Sequence, residues 1–273
     1  MSRIDAAAIR AALEPASLST MTQLDVFTEI DSTNAWLMAQ PAPESGMHRI
    51  AIADHQTAGR GRGGNRWLSA PGSSLCLSIA HTFRERPENL SALTLAIGVA
   101  AVNVLRATGA EDVKLKWPND IVAGDGKLGG MLAETHGVST RNATVVVGIG
   151  VNIGLPAEIF ADVDSAWAHS PVDLHGLLGR GVSREALAAS MIDGIVDSLS
   201  TFEGQGFEPF AASWRRLDWL RGRAVTVQQA GGSLRGTAAG IDSDGALLVK
   251  DAATTTRVLS GSIRVDGVGS AAS

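Results

Sequence analysis

Gly59-Arg60-Gly61-Arg62-Gly63-Gly64-Asn65-Arg66-Trp67 lies between two runs that read as buried strands, Arg49 to Ala53 and Ser74 to Ala80. Within it, Gly59, Gly61, Gly63 and Gly64 leave the backbone free to wrap closely around a ligand. The thirty residues from His55 to Arg84 hold four arginines and no carboxylate, in a chain of formal net charge −5. An acidic chain that keeps one loop this basic points to an anion bound there. Two other readings stand beside it. One is a solvated surface loop; the other is an arginine-glycine segment for RNA. Such RNA-binding segments are usually repetitive tails with interleaved aromatics, whereas this one occurs once, between strands.

Working outward, Leu24 to Ile30 alternates as a strand, and Asp31 or Ser32 offers an N-cap for a helix to about Gln40. Residues 1 to 20 are alanine-rich, a short helix or a frayed arm, too short for a helix-turn-helix domain. Downstream, Asn89 to Ala107 is apolar at helical spacing. Val113 to Trp117 and Ile121 to Val122 are strand pieces broken at Pro118, and Asp125-Gly126 is a hairpin signal. Leu128 to Thr135 and Ala143 to Val151 are the next strands. Arg184 to Phe202 is an amphipathic helix, and Phe207 to Leu217 is a second one. Residues 155 to 182 show no regular pattern. After Leu220 the composition shifts to short β runs, Val225 to Val227, Leu234 to Ala238, Ala246 to Val249 and Thr255 to Leu259, with turns at Gly231-Gly232 and Asp244-Gly245. Ser270 to Ser273 reads as a frayed end.

The 273 residues, 45% hydrophobic and 19% charged, describe a globular chain long enough to bury a core without staples. The single cysteine, Cys76, allows no internal disulfide and sits in Leu75-Cys76-Leu77 as a core thiol, which favours a reducing compartment. No apolar run approaches the ~18 residues a membrane helix needs, and Met1 to Leu13 lacks a signal-peptide centre, so the expected place is the cytoplasm. With no tyrosine, mechanisms that use a phenol are excluded.

Other motifs resolve by their spacing. In Gly148-Ile149-Gly150-Val151-Asn152-Ile153-Gly154 the third glycine comes one place late for a dinucleotide fingerprint, which leaves a strand end against which a ligand can lie. Gly126-Lys127-Leu128 lacks the Ser or Thr of a Walker motif. The six histidines show no metal-ligand spacing. Lys116-Trp117-Pro118-Asn119-Asp120 places an amide and a carboxylate at a strand break, suited to a metal ion or an amine, or simply to a turn. Lys114, Lys116, Lys127 and the loop arginines gather cations around one acidic residue, as phosphate chemistry with Mg²⁺ requires.

Asp31-Ser32-Thr33-Asn34, His55 to Arg62, Lys116 to Asp120, Gly126 to Leu132 and Gly148 to Asn152 together resemble the biotin protein ligase family, from about Phe27 to Leu155 and more loosely through the C-terminal β segment. The resemblance implies an α+β fold: a mixed β-sheet backed by helices over residues 1–220, and a small SH3-like β-barrel over 221–273. It also implies the activity, in which biotin and ATP give biotinyl-5′-AMP and pyrophosphate. A lysine of a biotin carboxyl carrier domain then takes the biotinyl group and AMP leaves. The resemblance is to the monofunctional kind, with no operator DNA to bind and no membrane; a monomer or a sheet-edge homodimer is expected.

Carried over by position, Ser32, Thr33, Asn34, Gln56, Gly59, Arg60 and Gly130 would surround biotin, and Arg62 and Lys127 would meet its carboxyl and the α-phosphate. Lys116, Asn119, Asp120, Arg66, Trp67 and Asn152 would serve ATP, with Arg264 reaching in from the C-terminal cap. Asn119 and Asp120 would hold Mg²⁺, Asp120 would orient or deprotonate the acceptor lysine, and Gly59 to Trp67 would close as a lid. The sequence departs from the family loop at Asn65, which stands where an arginine is usual, with Arg66 one position later. A lipoate ligase on the same fold is the rival reading.

Overall fold

The runs that flank the basic loop are neighbours in one sheet. In the computed structural model, which describes residues 3–139, 142–157, 170–229 and 231–266, β2 (His48–Ala53) pairs antiparallel with β3 (Ser74–Thr82), setting Ile50 opposite Ile79 and Ile52 opposite Leu77. β3 pairs in turn with β7 (Ala143–Asn152), which sets Cys76 opposite Gly150 and Ser78 opposite Gly148. β6 (Gly126–Val138), β5 (Asp120–Ala123) and β4 (Val113–Lys116) complete that side, and β1 (Met21–Phe27) joins β2 in parallel at the other edge. The order β1-β2-β3-β7-β6-β5-β4, with one parallel pair, is the expected mixed sheet.

Because side chains alternate across a strand, the sheet has two unlike faces. Leu75, Leu77, Ile79, Val145, Val147, Ile149 and Val151 form one core with α4 (Leu93–Ala107) and α6 (Arg184–Gln205). The stretch Leu90–Ala107 is in fact long and apolar enough to cross a membrane, contrary to the reading of the sequence. Ten residues of α4 are buried, and Gly98 lets the helix press onto Leu115 and Met131, so its apolarity serves the protein core. The other face carries Ser74, Cys76 and Ser78 beside Gly148, Gly150 and Asn152. Small, polar side chains there leave room above the sheet. At one end of this face α3 (Thr33–Met38) packs Leu37 onto Ala51, Ala80 and Val146.

The N-terminal residues are no frayed arm. Asp5 caps α1 (Ala6–Ala12), α2 (Pro15–Thr20) follows, and Ile4, Ile9 and Leu13 join the core. β1 begins before Leu24 and ends at Phe27, and Ile30 makes a separate parallel bridge to Gln56. Between 155 and 182 the chain forms α5 (Leu174–Leu178), capped by Asp173, while 158–169 lie outside the described residues, as do 267–273 with the expected frayed end.

α7 (Glu208–Leu217) leads to the C-terminal strands β8 (Ala224–Gln229), β9 (Gly232–Ile241), β10 (Leu247–Lys250), β11 (Thr255–Val258) and β12 (Ser262–Val265). These form an antiparallel sheet of order β11-β10-β9-β8-β12, the all-β cap expected from the sequence plus one strand, β12, that its reading lacked. The cap is stitched to the large sheet. Trp117 Nε1 donates to the Gly245 carbonyl and Asn89 Nδ2 to the Asp244 carbonyl (both 2.9 Å); just before the cap, Trp219 Nε1 donates to the Gly124 carbonyl (2.8 Å) within the large domain.

Candidate active site

On the polar face, a chain of hydrogen bonds starts at the first turn of α3. The Thr33 backbone N–H donates to Gln56 Oε1 (2.8 Å), and Thr33 Oγ1, 3.1 Å from the same oxygen, donates to Ser78 Oγ (2.7 Å). Ser78 donates to Asn34 Oδ1 (2.6 Å), and Asn34 Nδ2 donates to the Leu132 carbonyl and to Glu134 Oε2 (3.3 and 3.0 Å). Ser32 caps the helix, its Oγ accepting from Ala35 N–H. Gly148 is required beneath, since a Cβ there would sit 2.2 Å from Asn34 Oδ1.

The basic loop folds back on itself as a hairpin flap with an exposed tip. Trp67 N–H donates to the Gly59 carbonyl (2.9 Å), Gly61 N–H to the Asn65 carbonyl (2.7 Å), and Arg60 bridges Arg66 across the two arms. Gly63 (φ 68°) and Gly64 (φ 83°) turn its tip through the left-handed region that glycine enters freely. The Trp67 ring lies on Gly150, where a Cβ would fall 2.5 Å from it. Two of its arginines anchor it: half-exposed Arg60 meets Glu134 Oε1 through Nη2 (2.6 Å), and Arg62 Nη1 donates to the Gly261 carbonyl of the cap (3.1 Å). Cys76 lies in the strand beneath; burial pushes its thiol up to about 11, so it is no nucleophile at neutral pH.

The third wall is the β4–β5 turn. It holds a cis Trp117–Pro118 peptide between Lys116 and Asn119-Asp120. Asp120, opposite Gly130 in β6, accepts from Lys127 Nζ at 2.6 Å. Burial lowers Lys116 to about 8, opposed by Asp120 and assisted by Lys127. Burial also lowers the Arg62 guanidinium from its ordinary value, with Asp120 again opposing. The Lys127 backbone is clamped: its N–H donates to the Ser170 carbonyl, and its carbonyl accepts from Val172 N–H (both 2.9 Å) and from Asn152 Nδ2 (3.2 Å). This gives residues 170–172 the role that the sequence did not supply.

These walls and the cap enclose one cavity of about 1290 Å³, room for two ligands side by side. It brings together Ser32, Thr33, Asn34, Gln56, Arg60, Arg62, Arg66, Trp67, Lys116, Asn119, Asp120, Lys127, Gly130 and Asn152. Three expectations need correction. Gly59 does not line the cavity; it packs under the Trp67 carbonyl, 2.5 Å from where its Cβ would be. Arg264 does not line it either, because β12 turns Ile263 and Val265 inward and Arg264 out. Lys114 is on the exposed side of β4, so it leaves the cationic set. Asn152 spends its amide N–H groups on Lys127 and Val172 carbonyls. Sequence reading missed Ser78 and Glu134. Ser78 gives no signal inside an apolar strand, but Glu134 is found by counting alternate positions from Gly130 along β6.

Among the described residues no group of three or more His, Cys, Asp or Glu could hold a metal ion. Asn119 donates through Nδ2 to the Met131 carbonyl (2.7 Å) and Asp120 gives Oδ1 to Lys127, so one oxygen of each remains. Two oxygens fit a Mg²⁺ that takes its other ligands from phosphate and water, not a resident metal.

The mixed sheet, flap and cap define a ligase class. Residues 26–152 match the biotin/lipoate A/B protein ligase family model, and 221–265 match the biotin protein ligase C-terminal domain. The biotin protein ligase from Aquifex aeolicus, solved in complex with biotin and ATP, superposes with a TM-score of 0.74 at 27% identity, covering 89% of this chain and 98% of that one. The biotin–[acetyl-CoA-carboxylase] ligase of Mycobacterium tuberculosis is 32% identical over 251 residues, 88% of each chain. The bifunctional ligase/repressor BirA of Escherichia coli is 35% identical over 225 residues, 82% of this chain and 68% of that protein. The chain belongs to the biotin protein ligase family.

Proposed function

We propose that this protein activates biotin with ATP and transfers it to a lysine of a biotin carboxyl carrier domain. A biotin carboxylate oxygen attacks the α-phosphorus of ATP, the α–β phosphoanhydride bond breaks, and pyrophosphate leaves with its electron pair. The neutral acceptor amine then attacks the acyl carbon of biotinyl-5′-AMP. The acyl–phosphate bond breaks, AMP leaves, and the amine loses a proton.

The observation that carries this reading is the convergence of Lys116, Lys127 and Arg62 around Asp120, beside the Thr33–Gln56–Ser78 pocket in the same cavity. A carboxylate and a triphosphate repel each other. One unit charge pair 4 Å apart is worth about 4 kcal/mol at an effective dielectric of about 20, so three cations are the groups that allow approach. Lys127 and Arg62 face the biotin carboxyl and the α-phosphate, where charge builds as the bond forms. Thr33, Gln56 and Arg60 serve the polar ring of biotin, and Gly130 leaves open space over the Lys127–Asp120 pair. Lys116 and Arg66 serve the phosphates, and Trp67 covers the adenylate. Asn119 and Asp120 would hold the Mg²⁺ that arrives with ATP and neutralises the departing pyrophosphate. Asn34 and Asn152 act by holding their neighbours in place. Gly59 and Arg264 are withdrawn from the ligand set. The flap over the cavity excludes water from a labile anhydride.

We place the catalytic domain at 1–220 and the C-terminal domain at 221–273, and the protein in the cytoplasm, where its one cysteine stays reduced. It works as a monomer or as a homodimer through an edge of the large sheet; β1 is the more open edge, since Asp218 already bridges Leu115 on the outer side of β4. The test is transfer: a purified carrier domain incubated with the protein, ATP and an equimolar mixture of biotin and lipoate gains one biotinyl mass on its lysine. A carrier that gains lipoyl and not biotinyl mass replaces the substrate.

A further inference from the structure

Glu134 is a carboxylate with no place in any motif, yet its side chain is only 18% exposed. On β6 it follows Gly130 and Leu132 on the face above the cavity. One carboxylate oxygen accepts from Arg60 of the flap at 2.6 Å, and the other accepts from Asn34 at 3.0 Å. Asn34 continues through Ser78 and Thr33 to Gln56. A single side chain therefore joins the flap to the hydrogen-bonded floor of the pocket. From this geometry we propose that Glu134 is a positioning residue: it latches the flap through Arg60 and couples latch strength to occupancy of the pocket below. The proposal rests on the ligase reading for what the flap retains.

The physical basis is the cost of a partly buried charge without its partner. When the flap swings away, Glu134 loses its cation while the sheet and Asn34 keep its carboxylate partly buried. Opening is penalised by that loss. A ligand that bonds Thr33 and Gln56 fixes the chain through Ser78 and Asn34, which orients the carboxylate toward Arg60. The second anchor, Arg62 on the Gly261 carbonyl, is a neutral acceptor at the other arm of the flap and does not replace the ion pair.

The experiment uses Glu134→Gln, Arg60→Met and the double variant of the whole chain. Two rates are read: trypsin cleavage after Arg62 and Arg66 in the ligand-free protein, and release of adenylate formed in place from biotin and ATP. Glu134→Gln keeps an acceptor for Asn34 and removes the charge. It is expected to raise both rates about five-fold, the scale of one half-exposed ion pair. Arg60→Met, at a half-exposed position, should do the same without touching the sheet, and the double variant should match either single. Rates equal to wild type, faster cleavage without faster release, or a double variant showing the product of the singles would each overturn the latch. Wild type that forms no adenylate defeats the ligase reading instead, and the cleavage rates still judge the latch.

Discussion

Lys127 and Asp120 meet at 2.6 Å, and neither is deeply buried, so their contact alone adds little to folding. Its value is placement: a cation held where charge develops. Lys127→Ala is therefore expected to lower adenylate formation about a hundred-fold or more with the thermal midpoint nearly unchanged, as measured by pyrophosphate exchange beside a melt. Asp120→Asn keeps the hydrogen bond to Lys127 but loses the base, so transfer to the carrier should fall further than adenylation in single-turnover assays of each half-reaction. Equal losses would make Asp120 a general positioning group. Lys116 sets a pH limit. Burial lowers it to about 8, so its cation is present below that pH and lost above it. kcat/KM for ATP, which reports the free enzyme, should fall as pH rises through about 8, and Lys116→Met should abolish that step. Stability runs the other way. Between about 8 and the ordinary lysine value the unfolded chain holds more protons, so this lysine's contribution to stability rises with pH.

At the scale of elements, the floor of the site is two strands with side chains removed. Gly148 and Gly150 face Asn34 and the Trp67 ring at distances that no Cβ fits. Gly150→Ala should displace Trp67 or distort β7, costing about 1–3 kcal/mol by chemical denaturation and speeding adenylate release. Wild-type values for both would contradict the packing of Trp67 on the strand. These strands were legible in the sequence because β-branched alternation, Pro118 and Asp125-Gly126 act locally. The glycine-rich loop was legible as an anion site but not as a hairpin, since its closure depends on Gly59–Trp67 and Gly61–Asn65 backbone bonds that no side chain announces. Asn65 takes part through its backbone carbonyl, which accepts from Gly61, so closure of the hairpin does not depend on the side chain at that position. Arg264 misled for a related reason: strand alternation in β12 decides which way it points, and its four-residue strand was too short to read.

Across the whole molecule, the cap lines the cavity and the large sheet carries the chemistry, joined by a buried indole bond from Trp117. Trp117→Phe would leave the Gly245 carbonyl without its donor, a loss of about 1–3 kcal/mol. Because the cap's core residues are continuous with those of the large sheet, urea unfolding should remain a single transition, shifted to lower denaturant. Two separated transitions would show that the stitching is weaker than the contacts imply. The fold class was legible through the family resemblance that the five motif blocks carry, while punctuation marked the separate strands and helices. A short N-terminal helix was one of two readings of residues 1 to 20, but its packing was not legible, because burying Ile9 depends on contacts far along the chain. Alternation along β6 gives the side of Glu134 but not its partners, which appear only when Asn34 and Arg60 are brought to it.

One cavity serves to join a carboxylic acid to a nucleotide. The decisive measurement is ATP–pyrophosphate exchange in Mg²⁺ with biotin, lipoate, octanoate or no acid. Exchange is expected with biotin, little with the other acids, and none without acid. Exchange with lipoate or octanoate and not biotin would contradict the substrate assignment, and no exchange with any acid would contradict the adenylation chemistry itself.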